Sequence, residues 1–184
     1  LVARGVSRSP SIQTLDLPVA FLAWSESLSH LVSSQVKDIR FHGMLDSRWR
    51  PIGTPVNWID MNGLTNMAQM AKLESLGFFD VDVKAATLLP LLKQFPSVSR
   101  LKIRFVQHEA GHWKHEGGYK ALTGIKGIKH LDFSENEELP DEALDQLQEM
   151  KSLESLNISG CPKITDDAVI RLKTALPHIQ VIAR

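Results

Sequence analysis

His108-Glu109-Ala110-Gly111-His112 holds more potential chemistry than any other stretch of this chain. In an H-E-x-x-H string on a helix, the two histidines share a face and ligate zinc, while the glutamate activates the metal-bound water. His115 is a conceivable third ligand and Glu116 another. One reading is therefore a zinc-dependent hydrolase with His108, His112, His115 and Glu109 as its metal centre.

The flanking residues point away from it. Ile103 and Phe105 read as strand just upstream, Gly111 lies inside the string, and Gly117-Gly118 follow it. Each glycine weakens a helix by about 1 kcal/mol. Only a short helix, from about Gly118 to Leu122, fits before the next strand at Ile128. The string is read as a polar surface loop, an insertion over 106–120 in which Trp113 and Tyr119 pin the loop or meet a partner. No metal or other cofactor is expected, and the chain is not expected to be an enzyme.

The remaining candidates have structural explanations. Asp141-Glu142 and Asp166-Asp167 suit the positive first turn of a helix better than an acid/base pair. Cys161 fills a turn, and nothing near it in sequence would lower its pKa. As the sole cysteine it excludes an internal disulfide framework and a multi-cysteine zinc site. Trp49 between Arg48 and Arg50 is a candidate contact patch. The glycines are scattered singly apart from 117 and 118, so no phosphate-cradling loop is present.

The elements that position these residues follow one pattern. Leu153, Leu156, Ile158 and Cys161 fit L-x-x-L-x-L-x-x-N/C, and Thr165-Asp166-Asp167 then opens a helix that Pro177 stops. Equivalent anchors fall at Ile39, Ile59, Leu76, Leu101, Leu131, Leu156 and Ile182, mostly near the roughly 20–29-residue period of leucine-rich repeats. Helical stretches lie between them at Val83–Phe95 and Asp141–Met150. The pattern predicts an α/β fold: a leucine-rich-repeat solenoid with a curved parallel sheet and outer helices. Phe21, Trp24, Leu28 and Leu31 have helical spacing and predict an N-terminal helical cap over 15–35, its helix running from about Pro18 to Ser33. Residues 36–184 form the irregular repeat domain. Residues 1–14, with Arg4, Arg8 and three serines but no acid in LVARGVSRSPS, are read as a flexible tail and a possible transit-peptide remnant.

Bulk composition narrows the partners. Of 184 residues, 21 are Lys or Arg and 21 Asp or Glu. This balance disfavours nucleic acid as the main partner. No apolar run approaches the roughly 18 residues of a spanning helix.

LNISGCPKITDDAVIRL is similar to the cysteine-containing repeats of F-box substrate receptors, which makes an F-box-type substrate adaptor a further alternative. However, LDLPVAFLAWSESLSHL supplies only one helix of the three that an F-box has. A narrower resemblance runs over residues 20 to 184. Trp24, then Val36-x-x-Ile39-Arg40-Phe41-His42-Gly43, Trp58-Ile59-Asp60 and the ending Ala175-Leu176-Pro177-His178-Ile179 are in order. Together they resemble the leucine-rich-repeat family of mitochondrial ATP synthase subunit s (coupling factor B) and the complex I distal membrane-arm assembly factor. The histidine insertion departs from that family, and its cysteine-rich character is reduced to Cys161.

The resemblance implies a non-catalytic accessory or assembly subunit of a respiratory-chain or ATP synthase complex. It would lie peripherally on the matrix side of the inner mitochondrial membrane and dock on protein subunits. The alternating polar positions Lys37, Arg40, Asp60, Asn62, Lys102, Arg104, Asp132, Ser134 and Asn157 are expected on or near the concave face. Arg40, His42, Trp49, Arg104, Trp113 and Asp132 are the expected partner contacts.

Overall fold

A computed structural model describes residues 11–18, 31–32, 34–43, 67, 69–81, 85–105 and 117–183. They form an α/β structure around one sheet of seven parallel strands, each paired with its neighbour in chain order. The strands are β1 (Thr14–Pro18), β2 (Asp38–His42), β3 (Ser75–Val81), β4 (Arg100–Phe105), β5 (His130–Asp132), β6 (Ser155–Asn157) and β7 (Gln180–Ile182). The described helices are α1 (Ala85–Leu92), α2 (Gly118–Leu122), α3 (Asp141–Leu147) and α4 (Asp166–Ala175).

Side chains alternate faces along a strand, so one in-register row of apolar residues builds one face. Leu15, Ile39, Leu76, Leu101, Leu131, Leu156 and Val181 pair in succession across the sheet. Five of these, from Ile39 to Leu156, are buried. Leu88, Leu92, Leu122, Leu144, Leu147 and Leu172 from the helices join the same core. The opposite face carries the polar residues of each strand, and among the described residues no helix packs on it.

Successive units are stapled to one another. Thr165 caps α4 by accepting a hydrogen bond from the Ala168 amide at 3.2 Å. Its own amide and hydroxyl donate to the Asp141 carboxylate at the start of α3, at 2.8 and 2.6 Å. Asp145 on α3 receives a two-pronged contact from Arg171 on α4, at 2.9 and 3.0 Å. Asp141 thus serves the start of its own helix and the neighbouring unit at once.

Under the strands, the turn position shared by Asn136 and Cys161 satisfies backbone that has left the ladder. The Asn136 side chain is 3% exposed. Its Nδ2 donates to the carbonyls of Ile103 and Phe133, each at 2.8 Å, and its Oδ1 accepts from the Phe105 amide at 2.7 Å. The Cys161 thiol donates to the same Phe133 carbonyl at 3.0 Å. Burial pushes that thiol's pKa up, in keeping with a turn-filling role.

Three expectations change. Leu15–Leu17, assigned to a helical cap, are strand: β1 runs over Thr14–Pro18 and pairs with β2. Alternating Leu15 and Leu17 prefer a half-buried strand, and Thr14 belongs to the sheet rather than to a tail. The rest of the expected cap helix lies outside the described residues except Leu31, Val32 and flanking positions; Leu31 is buried in the core. Second, β2 pairs directly with β3, so no strand stands between them. The strand expected at Val56–Met61, including Ile59, lies outside the described residues. Third, Val181 and not Ile182 aligns with Leu156, which puts Ile182 beside Asn157 on the polar face. A slip of one residue exchanges faces. The short helix expected from about Gly118 to Leu122 is present as α2, and Tyr119, expected to pin the 106–120 insertion, is fully buried, its ring edge-on to Phe105 and Phe133.

Candidate functional site

The polar face of the sheet forms an open groove of about 790 Å³ whose walls come from every strand. Pairing sets its chemistry. Asp38, Ser75, Arg100, His130, Ser155 and Gln180 make one row across the strands. Arg40, Gly77, Lys102, Asp132, Asn157 and Ile182 make the next. His42, Phe79 and Arg104 make the third.

Phe79 is the centre of that third row. Its ring stacks on His42 from β2, with centroids 4.8 Å apart and planes 10° from parallel. From β4, the Lys102 ammonium lies 5.3 Å and the Arg104 guanidinium 5.7 Å from the ring centroid, within cation–π range. Because β3 lies between β2 and β4, the imidazole and the two cations approach from opposite sides. Gly77 makes room for this ring: a Cβ there would lie 2.7 Å from Phe79 Cε2 and 3.3 Å from Arg40 Cγ.

The carboxylates hold the cations in place. His42 Nε2 is 3.0 Å from Asp16 Oδ1, Arg40 reaches Asp38 at 2.7 and 2.9 Å, and Lys102 reaches Asp132 at 2.9 Å. Arg104 makes a two-pronged contact with Asp80. Asp80 is the extra residue of a bulge: Phe79 pairs with Arg104 and Val81 with Phe105, and Asp80 has φ 54°. By simple alternation residue 80 would face the core, where an unpaired carboxylate is costly. The bulge gives the carboxylate a route to Arg104, at the cost of a left-handed backbone for a non-glycine residue.

Asp132 is only partly buried. Burial raises its pKa, but hydrogen bonds from Ser134 and Lys102 outweigh that and hold it below the usual carboxylate range. His130 Nδ1 lies 2.9 Å from Ser155 Oγ. Among the described residues no carboxylate hydrogen-bonds His130, and the surrounding strand amides serve the ladder rather than an oxyanion. The pair has the geometry of a cross-strand hydrogen bond.

Of the expected contacts, Arg40, His42, Arg104 and Asp132 come together on this face, with Lys37, Lys102 and Asn157. Ser134, expected alongside them, is buried. Trp49, Trp113, Asp60, Asn62 and the string with His108, Glu109, His112 and His115 lie outside the described residues. Among the described residues no three His, Cys, Asp or Glu side chains converge as a metal site. No described helix is long and apolar enough to cross a membrane.

Phe79 and Asn136 escaped the sequence reading, although each has a signal. Phe79 is an aromatic at the polar phase of its strand, two residues after Gly77. Asn136 stands at the same offset from Phe133 as Cys161 does from Ile158.

Compared with protein-family models and with curated proteins, the chain gives no match.

Proposed function

We propose that this chain is a non-catalytic docking subunit built as an irregular leucine-rich-repeat solenoid. It attaches through the polar face of its sheet to protein subunits of a large mitochondrial membrane complex, of the respiratory chain or ATP synthase, peripherally and on the matrix side of the inner membrane. The location and the class of complex rest on the resemblance carried by Trp24, the IRFHG strand and the LPHI ending. The repeat reading is supported by the in-register leucine row and by Asn136 and Cys161 at equivalent turns.

One observation carries the docking role. An aromatic ring stands on an open sheet face, wedged between an imidazole and two cations, with each of these three neighbours fixed by a carboxylate. A preorganised aromatic–cation cluster is the composition of an interface anchor, because little side-chain freedom remains to be lost on binding.

The test is native migration of the endogenous chain, followed by replacement with Phe79→Ala/Lys102→Glu. The unmodified chain should migrate with a large assembly in the mitochondrial inner-membrane fraction. The variant, folded by circular dichroism, should migrate free. Finding the unmodified chain only free, or the variant still in the assembly, would refute the reading.

A further inference from the structure

The basic residues of the groove are concentrated on one strand, β4. The groove lining holds five Lys or Arg (Lys37, Arg40, Arg100, Lys102 and Arg104) and three carboxylates (Asp38, Glu74 and Asp132). Glu74 is shared by Lys37 at 3.3 Å and Arg100 at 3.5 Å, so one carboxylate answers two cations there. Asp16 and Asp80 answer His42 and Arg104, so the face as a whole is balanced and the excess of cations is local to β4.

Arg100, Lys102 and Arg104 alternate along β4 and share its polar face. Residues two apart on a strand are separated by about 6.5–7 Å, a spacing that alternate carboxylates of an extended segment reproduce. These cations can take a second carboxylate without leaving their own, since Arg40 and Arg100 are 44% and 57% exposed and a guanidinium or ammonium has donors to spare. Phe79 stands among these cations and supplies an apolar contact.

We infer that the groove takes an acidic peptide segment of the partner, its carboxylates on Arg40, Arg100 and Lys102 and an apolar side chain against Phe79. The inference rests on the docking reading and specifies the chemistry of the docked segment. A protein carboxylate is favoured over a nucleic acid or an anionic membrane. The cations already sit against carboxylates at hydrogen-bond distance, and the whole chain has no net positive charge to attract a polyanion.

The probes are three short fluorescent peptides in which Leu and Phe alternate with Glu, with Gln or with Lys, titrated by anisotropy against the full chain. The Glu peptide should bind about tenfold or more tighter than the Gln peptide at low salt, lose that advantage at high salt, and outbind the Lys peptide. Arg40→Glu/Lys102→Glu should reverse the order of the Glu and Lys peptides. Arg100→Glu, at a more exposed position, should weaken the Glu peptide alone, with circular dichroism and urea midpoints establishing that each variant folds.

Equal binding of the Glu and Gln peptides would overturn the inference. So would tighter binding to oligothymidine or to phosphatidylserine vesicles than to the Glu peptide. Loss of native assembly by Phe79→Ala/Lys102→Glu, together with no preference for Glu peptides, would overturn the acidic-segment inference and leave docking intact. The Glu preference in a chain that never joins an assembly would overturn docking into a complex and leave the inference standing.

Discussion

Asn136→Ala removes three hydrogen bonds from a side chain that is 3% exposed. The Phe105 amide loses its Asn136 acceptor and the Ile103 carbonyl its Asn136 donor. The Phe133 carbonyl keeps the Cys161 thiol at 3.0 Å. Stripping a buried backbone group of its partner costs about 1–3 kcal/mol. Two groups so affected predict a loss of about 2–6 kcal/mol, a large part of the stability of an ordinary domain. Cys161→Ala should cost about 1–2 kcal/mol, since Asn136 still serves Phe133. In the double variant Phe133 loses both donors, so the combined loss should exceed the sum of the single losses by about 1 kcal/mol or more. Urea unfolding of the four proteins, at equal m-values, reads these differences directly. A loss below about 1 kcal/mol for Asn136→Ala, or strict additivity in the cycle, would refute the claim that this turn is held by a shared carbonyl.

Glu135 and Gly160 occupy equivalent turns with φ 62° and 72°. Glu135→Gly should stabilise by about 0.5–1 kcal/mol by relieving the left-handed backbone. Gly160→Ala should destabilise by about 1 kcal/mol, because φ 72° disfavours any Cβ, whereas the Glu135 carboxylate 2.8 Å from that Cβ ends a flexible side chain and can swing aside. Thermal midpoints moving in the same direction for both would contradict the account. Asp132, held below the usual carboxylate range, contributes stability that is present above the ordinary pKa near about 4 and is lost as pH falls through its folded value. Asp132→Asn should therefore cost about 1 kcal/mol at neutral pH, and urea midpoints of variant and unmodified chain should converge in acid. A gap that stays constant across that range would show that the Lys102 and Ser134 contacts do not act through the charge.

The second half of the chain was legible because local signals agree there. Leu131, Leu156 and their turn residues coincide with helix starts at Asp141 and Asp166, so pattern and capping point to the same elements. β7 shows where letters mislead. Ile179 and Ile182 imitate the repeat motif, yet the equal steps from Leu131 to Leu156 to Val181 set the register. β1 was misread because Leu15 and Leu17 adjoin a stretch of helical spacing, and a short strand carries too few residues to outweigh it. The face containing Arg40, His42, Arg104 and Asp132 was legible from strand alternation alone. Phe79 was not, since a hydrophobic residue at a polar phase reads as core until the strand's neighbours are known.

The sequence by itself determined that apolar residues alternate along short strands separated by turns and helices, which implies a parallel sheet with one covered face. It also determined which charged residues lie opposite the core, because a strand has only two sides. Tertiary structure alone decided which strands are neighbours, and hence that His42, Phe79 and Arg104, distant in the chain, form one stacked row. The bulge at Asp80 belongs to that second class, as does the carbonyl shared by Asn136 and Cys161. Each depends on the register between strands, a long-range property set by packing that no local stretch of residues encodes.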